Sequence, residues 1–179
     1  LYNISDLVTA HADNLPTPVA SVATSTELGV SFLRGGAVSD DLGRVLSGTS
    51  VASPVFASLP TDGTPWTTAN VAKITNDKNV SHDSMAFSHD STKLFSNNYL
   101  TSRNTVYTWN VGNLAVDGVG LTQAATFAST NVARIRSLSS YYINGQDLVY
   151  YGDGTGGAKV VVYDPATGTE TPLLSGLTG

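Results

Sequence analysis

The residues with the most chemical capacity in this 179-residue chain are few and scattered. His82-Asp83 and His89-Asp90 each set an imidazole beside a carboxylate. That pairing suits general acid–base work or metal ligation, because histidine titrates near neutral pH and a carboxylate can orient it. Consecutive residues of an extended chain point to opposite sides, so His82 and Asp83 do not both serve one site. The third histidine, His11, stands in a stretch without a motif. Asn97-Asn98-Tyr99 and Arg103 offer amides, a ring that can stack on a sugar, and a guanidinium that can fork onto a carboxylate. Arg134 and Arg136 alternate onto one side of an extended segment, where they suit an anionic ligand or pair with neighbouring Asp residues.

Two glycine- and serine-containing stretches look more specific than they are. Gly152-Asp153-Gly154-Thr155-Gly156-Gly157 lacks the Lys-Ser/Thr and the following helix that a phosphate cradle needs, and reads as a hairpin loop. Gly48-Thr49-Ser50-Val51-Ala52-Ser53-Pro54 is similar to the nucleophile motif of subtilisin-like and sedolisin-like serine peptidases. The likeness implies that Ser50 attacks the scissile carbonyl from the start of a long buried helix. Pro60 and Asp62-Gly63 would end such a helix within about ten residues, and few upstream residues remain to supply a base and an acid.

The elements that must position these groups are strands. Val38 to Leu46, Phe87 to Phe95 and Tyr142 to Tyr150 each read strand, polar turn, strand, with starting points 49 and then 55 positions apart. A repeat of this length built from short strands marks an array whose units bury their faces against one another. Asp62-Gly63, Asp117-Gly118, Asn144-Gly145 and Asp153-Gly154 supply turn residues that tolerate positive φ. Lys159 to Tyr163, Asp164-Pro165-Ala166-Thr167-Gly168 and Thr169 to Thr171 form a further strand–turn–strand unit. This hairpin, and the segment Met85 to Phe95, resemble the blades of the β-propeller repeat superfamily, of the TolB-like and YVTN-like kind.

The resemblance implies an all-β propeller with about three four-stranded blades, at about 30–75, 80–128 and 130–175, preceded by a segment 1–29 that could lend one closing strand to a ring. Closed propellers carry about 4–8 blades. The expectation is therefore that residues 30–179 are the N-terminal part of a larger propeller. A second chain of the same precursor, cut free near Ser175 to Gly179, would complete it.

Composition agrees with a β-rich, turn-rich protein. Charged residues are 13% of the chain, and 12 Asp stand against 2 Glu, which favours turns over surface helices. A net charge of −5 without a Lys/Arg cluster argues against nucleic acid or an anionic membrane as partner. The absence of Cys excludes disulfides and thiol chemistry. Asn3-Ile4-Ser5 and Asn79-Val80-Ser81 fit the N-glycosylation pattern at Asn3 and Asn79, and with the low charge they favour a secreted, extracellular protein.

In the families this repeat resembles, the loops entering the inner strand and joining the second and third strands surround a channel mouth that holds the ligand. The leading expectation is thus a secreted propeller hydrolase or lyase acting on a carbohydrate or similar small polar molecule. His82 would be acid or base, with Asn98, Tyr99, Arg103 and Arg136 holding substrate. The alternatives are a non-catalytic propeller binding a glycan or a protein, and a serine peptidase using Ser50. No metal or cofactor is named by any motif.

Overall fold

The computed structural model describes residues 33–39, 44–49, 55–58, 71–73, 76–78, 80–98, 100–111, 120–153 and 158–177. Among them run twelve strands and no helix. Val, Ile, Thr, Tyr and Phe dominate the strand interiors, and Asp, Asn, Ser and Gly the turns, as β-branched and turn chemistry require. The first sheet holds β1 (Leu33–Val38), β2 (Arg44–Thr49), β3 (Val55–Ser58) and β4 (Val71–Lys73). The second holds β5 (His82–Phe87), β6 (Lys93–Asn98), β7 (Thr105–Asn110) and β8 (Thr122–Ala128). The third holds β9 (Ile135–Ile143), β10 (Gln146–Asp153), β11 (Ala158–Asp164) and β12 (Thr169–Leu177).

Each sheet is an antiparallel meander in sequence order, and β5 packs against both β1 and β9. This is the blade arrangement the repeat implies. The segment 1–29, expected as a possible closing strand, lies outside the described residues.

Two cores glue the three sheets face to face. Ala37 and Leu46 of the first sheet meet Met85, Phe87, Leu94, Tyr107 and Trp109 of the second. From its other face the second sheet sends Ala86, Phe95, Val106 and Phe127 against Leu138, Val149, Tyr151, Val161 and Tyr163 of the third. Adjacent residues such as Leu94 and Phe95 therefore serve different cores, because successive side chains leave a strand on opposite faces. Each fully buried side chain of this kind contributes roughly 1.5–3 kcal/mol. Phe127 and Tyr163 stack across the second interface, with ring centroids 4.2 Å apart.

Close backbone approach fastens the first interface. A Cβ added to Gly48 would lie 2.4 Å from the carbonyl oxygen of His82, and one added to Gly35 2.8 Å from that of Asp83. Only glycine lets β1 and β2 come so near β5. Beside them, Arg34 pairs with Asp83 at 3.3 Å.

The inner hairpins close in two different ways. In the first, the Ser39 hydroxyl accepts the Arg44 N–H at 3.0 Å and donates to the Arg44 carbonyl at 3.3 Å. In the second, Ser88 does the same with Lys93, at 2.9 and 3.2 Å. The third has no such serine turn. Its pairing runs on to Ile143↔Gln146 and closes through Asn144 and Gly145, both at positive φ, a two-residue turn of the type such dipeptides favour. β9 therefore overhangs, leaving Tyr141, Tyr142 and Ile143 exposed.

Candidate functional site

The residues expected at the channel mouth gather at one end of the second and third sheets. His82 opens β5 and pairs in register with Asn98, the last residue of β6. The carbonyl of Arg103 accepts the Ile135 N–H at 2.8 Å, which brings Arg103 beside Arg136 at the start of β9. Arg103 and Arg136 are exposed, with the buried Ile135 between Arg136 and the half-buried Arg134.

His82 and Asn98 do not present themselves to a ligand, and here the structure corrects the sequence reading. His82 is 0% exposed. Its Nδ1 lies 2.8 Å from the Ser96 hydroxyl, to which the Trp109 indole N–H also donates at 2.8 Å. Its Nε2 faces the Asn76 Nδ2 at 3.2 Å. The Asn76 amide is oriented by its neighbours: its oxygen accepts the Val80 N–H at 2.9 Å, and its nitrogen donates to the Val80 carbonyl at 2.8 Å. We therefore assign Nε2 as acceptor and Nδ1–H as donor to Ser96, the neutral tautomer. Burial pushes the imidazole pKa down to about 4. A ring that is neutral, dry and bonded on both nitrogens is a cross-brace between β5, β6 and β7. It is not placed to exchange protons with a substrate.

Asn98 is likewise consumed inside. Its oxygen accepts the Ser81 hydroxyl at 2.9 Å and the Leu100 N–H at 3.0 Å, and its nitrogen donates to Thr101 at 3.0 Å. Asn97, read with it as a loop residue, is a buried strand residue bridging sheets: it accepts from Ser84 and donates to the Ile135 carbonyl at 3.0 Å. Tyr99, Ser50, Asn3 and Asn79 lie outside the described residues. The peptidase reading fails on the chain either side of Ser50, where β2 and β3 are paired strands and leave no room for a long helix.

A second carboxylate cluster is structural as well. Glu170 of β12 accepts from the hydroxyls of Tyr151, Ser129 and Thr130 and from the N–H groups of Thr130 and Asn131. Burial alone would raise its pKa, but these hydrogen bonds outweigh it and hold the carboxyl down at about 2. The same contacts raise the Tyr151 phenol, chiefly through burial and then through Glu170. This clasp ties the β8–β9 connection to the third sheet.

The opposite end, where the inner hairpins turn, holds the cluster that sequence reasoning missed. His89 stacks on Tyr142 with ring centroids 4.3 Å apart and planes 17° apart. Its N–H donates to the Asp147 carboxylate at 2.9 Å. Phe87, Ser140 and Tyr141 complete the wall of a hollow of about 210 Å³. Among the described residues the buried Ser140 hydroxyl has no hydrogen-bond partner. The signal for this cluster was Asn144-Gly145, whose tight turn lets β9 run on until Tyr142 reaches His89.

No family model and no curated protein matches this sequence. Solved structures do. A humanized mutant of the Chaetomium thermophilum Polycomb Repressive Complex 2 bound to the inhibitor GSK126 is similar over 78% of this chain and 36% of that one, at 15% identity and a TM-score of 0.54. The crystal structure of the Chaetomium thermophilum complex is similar over 77% and 36%, at 14% identity and a TM-score of 0.53. The Myceliophteria thermophila Cps50 (Swd1) β-propeller domain is matched over 78% and 42%, at 14% identity and a TM-score of 0.49. The chain thus spans about two fifths or less of the length of each. At these identities the likeness is one of fold.

Proposed function

We propose that this chain is part of a non-catalytic propeller that binds a protein partner where its inner hairpins turn. The observation that carries the proposal is Tyr142 lying flat against His89 on the β9 overhang, 52% exposed. A large side chain already held in place gives up little entropy on binding, which is why rigid aromatic anchors dominate interface energetics. The adjoining hollow, about 210 Å³, is the size of one inserted side chain and below the usual range for small-molecule sites.

The internal engagement of His82 and Asn98 supports a binding role over a catalytic one. So does the occurrence of similar folds in structures of a multi-subunit complex. An extracellular location, with N-linked glycans at Asn3 and Asn79, is retained as part of the proposal on sequence grounds.

The test pans the purified chain and its Tyr142→Ser variant against a displayed peptide library and, in parallel, a glycan array. Peptides that bind the parent and lose about tenfold or more in affinity with the variant support the proposal. Glycan binding alone, or turnover of polysaccharide substrates by the parent, overturns it.

A further inference from the structure

The third sheet has two faces, and among the described residues only one is covered. Register places Leu138, Val149, Tyr151, Val161 and Tyr163 on the face that meets the second sheet. Pairing of Tyr141 with Leu148, of Tyr150 with Val162, and of Val160 with Leu174 puts these six side chains on the other face. Tyr141 is 58% and Leu174 51% exposed, and the remaining four are half-buried. Tyr141 and Tyr150 meet edge to face at 5.5 Å, and a shallow groove of about 250 Å³ runs beside them past Ser137, Ser139, Gly152 and Val160. An apolar face of this extent on a soluble protein is unusual unless something packs on it.

The preceding sheets say what packs there. The first sheet's corresponding face, carrying Ala37 and Leu46, is covered by the sheet next in sequence. The second sheet's corresponding face, carrying Ala86, Phe95, Val106 and Phe127, is again covered by the sheet next in sequence. In both, the chain passes from the outermost strand of one sheet to the innermost strand of the next, β4 to β5 and β8 to β9. Tyr141, Leu148, Tyr150, Val160, Val162 and Leu174 repeat this arrangement on the third sheet, with larger side chains.

We infer that this face is a blade-docking surface, and that its occupant is a fourth four-stranded sheet from the same precursor polypeptide. The sheet presents an apolar first face like that of β9–β11, with its innermost strand laid beside β9. The inference is independent of the partner site at Tyr142, which lies on the other face of β9.

The absence of Cys makes a single introduced thiol a clean reporter of cover. Val162→Cys is made in the 179-residue chain and in the precursor extended through the following sheet, and the rate of maleimide alkylation is read in each. Ala166→Cys, in the exposed β11–β12 turn, is the control for intrinsic reactivity and for folding of the variants. The expected result is alkylation of Val162→Cys slowed at least about tenfold in the extended polypeptide, with Ala166→Cys unchanged. Equal rates in the two polypeptides overturn the inference, as does a precursor that carries no such sheet. Protection already present in the 179-residue chain overturns it too. Protection that grows with protein concentration then identifies a second copy as the occupant, and protection independent of concentration identifies residues 1–32.

Discussion

His82 Nδ1 and the Ser96 hydroxyl stand 2.8 Å apart in the sealed interior of the second sheet, and the same hydroxyl takes the Trp109 indole N–H. The imidazole, the hydroxyl and the indole come from three adjacent strands, so the brace forms only when β5, β6 and β7 are in register. Its far end, Asn76, belongs to the connection arriving from the first sheet. A proton on Nε2 would press an N–H against the Asn76 amide N–H₂. Geometry therefore adds to burial in keeping the ring neutral.

This gives stability a defined response to acid. With a folded pKa of about 4 against 6.5 in the unfolded chain, the ring is neutral in both states above pH 6.5. Below that the unfolded chain takes up the proton first, so stability falls as pH drops from 6.5 towards 4, by up to about 3 kcal/mol. The thermal midpoint of the parent should decline over this window, and that of His82→Gln should start lower but stay flat. Parallel declines in the two proteins would remove His82 as the cause.

Glu170 acts in a separate, more acid window. Its carboxyl is held at about 2 against an ordinary 4.5, so the clasp is fully present above pH 4.5 and is lost as pH falls towards 2. Glu170→Gln should lower the midpoint at pH 7, because the Thr130 and Asn131 N–H groups lose a charged acceptor. It should also shrink the difference from the parent as pH drops below 4.5. A difference that stays constant down to pH 2 would contradict the clasp.

Gly48→Ala should destabilise the chain by about 1–3 kcal/mol, since its Cβ would meet the His82 carbonyl at 2.4 Å and neither backbone has room to retreat. Chemical denaturation is the measurement. Gly168→Ala, with open space around its Cβ but φ of +70°, should cost about 1 kcal/mol through backbone strain alone. A Gly48 variant no worse than the Gly168 one would mean that the first two sheets do not approach as closely as described.

Ser39→Ala and Ser88→Ala should each cost about 1 kcal/mol, since each removes the same pair of side-chain bonds to the residue five positions on. Ser88→Ala should be the costlier, because the single Ser88 O–H is shared between the Lys93 carbonyl and the nearer, charged Asp90 carboxylate at 2.7 Å, and the Asp90 contact helps keep that carboxyl's pKa low after the larger contribution of the Thr92 N–H. Midpoints in urea decide the order, and a harmless Ser88→Ala would show that Asp90 and Thr92 hold the turn unaided.

The blade pattern was legible because it is local. Val38 to Leu46 and Phe87 to Phe95 carry their own turn residues, and the short apolar run Leu148 to Tyr151, bounded by Gly145 and Gly152, marks a strand whatever lies around it. The serine turns at Ser39 and Ser88 recur 49 positions apart because each is closed by residues within five positions of it.

The site was not legible in the same way. The sequence by itself determined that His82 begins an inner strand at the end that also carries Arg103 and Arg136. Whether that end is open or filled depends on Trp109, Ser96 and Asn76 arriving from other strands, and no spacing along the chain encodes their convergence. His89 and Tyr142 meet only because two sheets stack and one hairpin overhangs. Short-range hydrogen bonding and side-chain alternation are written into neighbouring residues, whereas solvent exclusion and ring-on-ring contact come from sheets packed in three dimensions, and these decided which polar groups are internal braces and which lie at the surface.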